Sequence, residues 1–181
     1  MSDIVTRRLR LRRFSRDDAS ALARYRSDPD VARYQSWRSP IDQTEAEAIV
    51  AGYLAEHPDG DGPGFFQYAI ELHQRPGLIG DLAIARTTGR GQAMLGITLA
   101  PDMQHRGYAT EAMTAVAHRL LDMGVQRITA TCDARNTASA QLLRRVGFEQ
   151  QGREKRYVEQ RGIHADVLLF RMPGERLHRP S

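Results

Sequence analysis

The run Met94–Met123, MLGITLAPDMQHRGYATEAMTAVAHRLLDM, decides how the chain folds. Met94–Leu99 is short and apolar and lies between Gly91 and Pro101, as a buried strand does. Pro101 has no N–H to offer a ladder, so pairing stops there. Ala109, Met113, Val116, Leu120 and Leu121 then recur at three- and four-residue spacing, which predicts a helix, and Gly124 stands where that helix should stop. The junction between strand and helix is Gln104–Ala109. The first N–H groups of a helix lack partners within it, and the helix dipole makes that end partially positive. Gly107 and Ala109 are small enough for an anion to approach the main chain, and His105 and Arg106 add donors. The junction therefore suits a pyrophosphate. An ordinary strand-to-helix turn, with a glycine serving only its geometry, has the same spacing. Neither a P-loop nor a Gly-x-Gly-x-x-Gly fingerprint is present.

Upstream of this run, Arg8–Phe14 alternates with Leu9 and Leu11 on one face, a half-buried strand. Ser15 and Asp18 form an imperfect capping box for a helix reaching about Ser27, which Asp28-Pro29-Asp30 ends. Val31–Pro40, with Tyr34 and Trp37, has no clear period and reads as a loop or broken helix. Thr44 and Glu47 fit a capping box for a helix through Ile49, Tyr53 and Leu54. His57–Gly64 is a turn-rich loop, expected to be mobile. Phe66–Leu72, Leu78–Ala85 and Ala93–Leu99 are strands joined by short turns at Arg75–Gly77 and Thr88–Gly91, hence antiparallel hairpins.

Downstream, Arg127–Cys132 is a β-branched strand, and strand, long helix and strand imply a parallel crossover. A further helix turns Leu142, Leu143 and Val146 inward and ends at Gly147-Phe148. Strands over about Glu149–Val158 and Ile163–Met172 turn at Gln160–Gly162, and the tail from Pro173 frays. The expected architecture is α+β, with helices over a mostly antiparallel sheet, as one domain over 1–181 with its core at about 6–172.

With 181 residues and 41% hydrophobic content, the chain can bury a sizeable core. No apolar run approaches the roughly 18 residues of a membrane span, and the N-terminus lacks a secretion signal. The single cysteine, Cys132, excludes an internal disulfide and reads as core. These features lead us to expect a cytoplasmic protein. The formal charge is +4, carried almost wholly by arginine, with Lys155 the one lysine. No basic stripe is interleaved with aromatics, so nucleic acid is not an expected partner. The six histidines show no metal-ligand spacing, and no metal is expected.

Gln104-x-x-Gly107-x-Ala109, after a strand and opening a helix, resembles the acetyl-coenzyme A signature of the GNAT N-acetyltransferases. Tyr108–Ala112 resembles the RimJ/RimL-like subgroup, which contains the ribosomal-protein N-terminal acetyltransferases. Three other stretches agree in the right order: Thr6–Phe14 with Asp17–Ala19, Asn136-x-x-Ser139 with Arg145–Phe148, and Gly162-x-x-x-Asp166. The similarity spans roughly Thr6 to Met172.

The resemblance implies a central parallel pair, Met94–Leu99 and Arg127–Cys132, splayed apart at one end. It implies acetyl-coenzyme A bound by Gln104, His105, Arg106, Gly107, Tyr108, Ala109 and Thr110, with a backbone N–H around Leu99 meeting the oxyanion. Asn136 reads as a helix N-cap from its residue type, and the resemblance adds a contact to the pantetheine. Many family members use a late tyrosine as the acid. Leu143 stands at that position here, so the resemblance passes the role to Ser139. By residue type alone Ser139 is equally a first-turn serine bonded to the backbone. Glu111, Asp81 and Asp166 are the carboxylates open to a base's role, and Tyr34 and Trp37 suit either an acceptor pocket or the core.

The implied activity is acetyl transfer to a primary amine such as a protein N-terminus. The alternatives are an antibiotic or polyamine acetyltransferase, and a non-catalytic acyl-CoA-binding or ribosome/RNA-interaction module. The last strand pair carries Val158, Ile163, Val167, Leu169 and Phe170, with Arg153, Lys155, Arg156 and Arg161 able to guard its edge. A homodimer is expected, with the second subunit walling the acceptor side.

Overall fold

A computed structural model describes residues 3–55, 64–86, 91–158 and 163–173. In chain order the elements are β1 (Ile4–Val5), β2 (Leu9–Arg12), α1 (Ala19–Arg26), α2 (Pro29–Ala32), α3 (Gln43–Ala55), β3 (Gly64–Leu72), β4 (Arg75–Arg86), β5 (Gln92–Leu99), α4 (Tyr108–Asp122), β6 (Arg127–Asp133), α5 (Thr137–Val146), β7 (Glu149–Val158) and β8 (Ile163–Arg171). The strands form one sheet in the order β1-β2-β3-β4-β5-β6-β8-β7. Every pairing is antiparallel except β5 with β6. The α+β reading holds.

Helices cover both faces. On one, Met113, Val116 and Leu120 of α4 and Leu143 and Val146 of α5 pack over Tyr68, Ile84, Leu95, Ile128 and Phe170. On the other, Leu22 and Tyr25 of α1 and Ala46 and Val50 of α3 pack over Phe14, Ala69 and Leu78. Each fully buried side chain of this size contributes about 1.5–3 kcal/mol, so both layers are needed to hold the sheet. No helix among the described residues is long and apolar enough to cross a membrane.

Local chemistry sets the element ends. Gly124 and Gly147 take positive φ after α4 and α5, where a side chain would be strained. Asp28 caps α2 by accepting hydrogen bonds from the Asp30 and Val31 N–H groups at 3.0 and 3.1 Å. The cap of α3 differs from expectation. Its box is Asp42 with Glu45, not Thr44 with Glu47: the Glu45 N–H donates to Asp42 at 2.8 Å and the Asp42 N–H donates to Glu45 at 2.9 Å. Both boxes fit the residue pattern. Tertiary structure selects the earlier one, because Ile41 is held to α1 through Ser27 and brings the chain to Asp42 in position to start.

The last strand pair ends the sheet, as its sequence suggested. Val167, Leu169 and Phe170 lie on β8, inside the sheet, while β7 forms the rim. β7 exposes Arg153 and Lys155 and carries a register shift at Gln150/Gly152, both of which discourage edge pairing. The turns read at Thr88–Arg90 and Gln160–Gly162, the loop from His57 to Pro63 and the tail beyond Pro173 lie outside the described residues.

The cap assignment is measurable. Asp42→Ala is expected to cost about 1 kcal/mol in denaturant unfolding. Thr44→Ala, inside the first turn, should shift the midpoint far less.

Candidate active site

β5 ends at Leu99, and Pro101 opens a single 3-10 turn, Pro101–Met103. The Gln104 side-chain amide then donates to the Leu99 carbonyl at 3.0 Å, tying the loop to the strand it has just left. His105 at φ 58 and Gly107 at φ 79 are both left-handed. Two such residues within three positions curl the chain, so the loop and the first turn of α4 line one concave wall.

A brace from the N-terminal strands stands behind that wall. The Arg8 guanidinium donates to the Arg106 carbonyl at 3.0 Å and lies 4.5 Å from the centre of the Tyr108 ring. It also donates to Glu111 at 2.6 Å. Glu111 further accepts the Thr6 hydroxyl at 2.6 Å and the Arg8 N–H at 2.8 Å. Burial pushes the Glu111 carboxyl up, but the hydrogen bonds from Thr6 and Arg8 outweigh it and hold it below its ordinary value. A side chain on Gly107 would have to fit beside this guanidinium, 3.3 Å from its Cβ.

The second component is a gap in the sheet. The parallel ladder runs from Gln92/Arg127 to Leu95/Ala130 and ends, although both strands continue. The Ala100 N–H bonds to Ile79 of β4, so by strand alternation the Leu99 N–H faces away from β4, towards the gap. A cleft of about 400 Å³ occupies it, lined by Leu95–Leu99 and Ala130–Asp133. From the α4/α5 face it reaches His105, Gly107–Thr110, Asn136 and Ser139. From the opposite face it reaches Asp30, Tyr34 and Gln35.

α5 aims two side chains at this cleft. Asn136 caps the helix by accepting the Ser139 N–H at 3.0 Å. Ser139 is half-buried, on the same cleft as Cys132. Burial pushes the Cys132 thiol up, and the serine offsets part of the rise. Cys132 thus belongs both to the core, as its apolar strand suggested, and to the cleft wall.

Of the residues singled out from sequence, Leu99, Gln104, His105, Gly107, Tyr108, Ala109, Thr110, Asn136 and Ser139 line this one cleft, and Arg106 does not. None of the three candidate bases lines it. Glu111 is held by Thr6 and Arg8, Asp81 by Tyr25, Gln67 and Arg26, and Asp166 by Arg153. The lining carboxylates are Asp30 and Asp133, which sequence reasoning missed. Asp133 is signalled by its position: it ends a strand of the parallel pair, and ligands favour the carboxyl ends of such strands. Arg135 engages it at 2.7 and 2.9 Å. Among the described residues no group of histidine, cysteine and carboxylate side chains is arranged to hold a metal ion.

Residues 8–149 match the family model described as the acetyltransferase (GNAT) domain. An uncharacterized N-acetyltransferase, p20, of Bacillus licheniformis is 28% identical over 175 residues, covering 94% of this chain and 95% of that protein. A GNAT-family acetyltransferase from Bacillus anthracis has the same fold, with TM-score 0.82 at 23% identity, covering 96% of this chain and 99% of that one. So does RimL, a ribosomal-protein α-N-acetyltransferase in complex with coenzyme A, with TM-score 0.78 at 22% identity, covering 94% and 97%.

The brace has a pH signature. A carboxyl held below its ordinary value stabilises fully above the unfolded-state range and loses that contribution as pH falls through the depressed value. Glu111→Gln should therefore cost about 2 kcal/mol at pH 7, the scale of hydrogen bonds to a charged group. The gap between the two proteins should narrow as unfolding is repeated at successively lower pH, below the ordinary carboxylate range.

Proposed function

Because this chain belongs to the GNAT acetyltransferase family and is an N-acetyltransferase, we propose that it moves the acetyl group of acetyl-coenzyme A onto an α-amine, that of a protein N-terminus, in the manner of the RimJ/RimL-like enzymes. One observation carries this reading: the cleft joins the curled loop on one face of the sheet to a polar pocket on the other, through the gap between β5 and β6. A long, bent substrate with a pyrophosphate at one end and a thioester at the other fits such a path.

In this reading the pyrophosphate rests on the main chain of 104–110, where Gly107 permits close approach. Gln104 acts by holding Leu99 rather than by touching the ligand. The pantetheine runs past Asn136 into the gap. The amine nitrogen attacks the thioester carbonyl, whose developing oxyanion meets the Leu99 N–H. Collapse breaks the C–S bond, the thiolate takes a proton from the Ser139 hydroxyl, and the proton shed by the attacking nitrogen restores that hydroxyl, each transfer being direct or through water.

What the cleft offers a base supports this acceptor class. An α-amine has a reference pKa of about 7.7–8.0, against about 10.4 for lysine, so it needs little help to become neutral. Asp133 is already engaged by Arg135, and Asp30 is exposed. An acceptor side whose carboxylates offer so little free basicity suits an α-amine better than a lysine or polyamine. The RimL relative in fold acts on a ribosomal-protein α-amine, which supports the same choice.

Gly107→Val should weaken coenzyme A binding more than tenfold, or about 1.4 kcal/mol, because a branched side chain strains a φ of 79° and crowds the Arg8 guanidinium that holds the loop in shape. Calorimetry that finds unchanged affinity removes the cradle.

The chemistry is read by thiol release against peptide N-termini, polyamines, aminoglycosides and free amino acids. Peptide N-termini should be turned over fastest. Ser139→Ala should lower that turnover by about 10²-fold with coenzyme affinity retained. Coenzyme binding without thiol release from any amine would point instead to a non-catalytic module.

A further inference from the structure

The face of the sheet beneath α1 and α3 holds a charged cluster that the reaction does not use. Asp81 on β4 and Arg26 on α1 are only 2% and 6% exposed. Asp81 accepts hydrogen bonds from the Tyr25 hydroxyl and the Gln67 amide, and from the Arg26 guanidinium at 3.4 Å. Arg26 also donates to the Tyr53 hydroxyl of α3 at 2.9 Å, and its guanidinium lies 4.5 Å from the centre of the Trp37 ring. A buried ion pair is a poor source of net stability, because both charges are stripped of water. Apolar residues of similar volume would serve the core as well.

The contacts around Arg26 give the pair another use. Its backbone carbonyl accepts from Trp37 Nε1 at 3.3 Å and from the Ser39 hydroxyl at 3.1 Å. The next residue, Ser27, accepts the Ile41 N–H and donates to the Ile41 carbonyl, both at 3.0 Å. The segment 33–41 is thus tied at Trp37, Ser39 and Ile41 to the last turn of α1. Its upstream part carries Tyr34 and Gln35 to the cleft. Gln35 Nε2 reaches the Thr98 hydroxyl at 3.4 Å, and Thr98 is the cross-strand partner of Asp81. One cross-strand pair, Asp81 on β4 with Thr98 on β5, therefore sits under both ends of the segment.

We propose that Arg26 and Asp81 are positioning residues for the amine acceptor: the pair fixes the stacked Trp37 and so sets the segment carrying Tyr34 and Gln35 against the acceptor side of the cleft. The proposal rests on the acetyl-transfer reading above. It explains why the cation is arginine. A guanidinium can face Asp81 and Tyr53 with its edge while its plane lies on Trp37, which an ammonium cannot do.

Trp37 is the one tryptophan of the chain, so its fluorescence reports on this stack alone. Arg26→Lys keeps a charge facing Asp81 but loses the planar contact. In the full-length variant, acrylamide quenching of Trp37 should rise about twofold, and the KM for the fastest peptide N-terminus about tenfold, with the coenzyme A dissociation constant within about twofold of native. Trp37→Ala leaves the ion pair intact and should give the same split between acceptor KM and coenzyme affinity. Unchanged quenching in Arg26→Lys overturns the anchor. Unchanged acceptor KM in Trp37→Ala, or a parallel loss of coenzyme affinity, reduces the cluster to core packing and overturns the positioning role. Failure of the native protein to acetylate any amine ends the acetyl-transfer reading and the acceptor role with it. The quenching result, which needs no turnover, still decides the anchor.

Discussion

The early end of the parallel ladder between β5 and β6 is the constraint on which the rest depends. Two neighbouring strands that continue without pairing leave main-chain groups facing a gap, and a protein interior does not tolerate such groups unpartnered. The gap is therefore either a fault or a site. The surrounding elements are placed as if for a site. α4 starts at its edge, the Asn136 cap brings α5 to its wall, and α2 with the following segment closes the opposite face. The antiparallel strands on both sides keep the sheet intact, so the splay stays local.

Two arginines hold the two sides of this gap by different means. Arg8 is partly exposed and works through a carboxylate and a backbone carbonyl to keep a left-handed loop in shape. Arg26 is buried and works through an aromatic plane and a backbone tie. Both reach across long separations in sequence: Arg8 meets Glu111 over 103 positions and Arg26 meets Asp81 over 55.

That distance explains what sequence reading could and could not find. Strands, helices and their stops are written locally, in the spacing of Met113, Val116 and Leu120 and in the glycines at 124 and 147, and these were legible. The wall formed by Gln104–Thr110 was legible as well, because a turn and a helix start are neighbours in the chain. The pairing of Glu111 with Arg8, which removes it from the list of bases, was not, since no local pattern records which strand lies behind a helix. The α3 cap shows the same limit on a smaller scale. Asp42 and Thr44 both have an acid three residues on, and Ser27, far upstream, decides between them. The apolar strand of Cys132 marks it as core; that a core residue also borders a cleft depends on where its neighbour's ladder stops.

The separation of the two braces bears on how such an enzyme can change over time. The residues that shape the loop on one face and those that seat the segment on the other are disjoint sets, joined only through the rigid strands between them. Drift at 33–41 can reshape one pocket while leaving the other untouched, so on the proposed reading a lineage can try new acceptors without first losing its donor. The buried Arg26–Asp81 pair sets the limit of that freedom: the surface of the segment can vary widely, but its attachment to the sheet can change only if both charges change together.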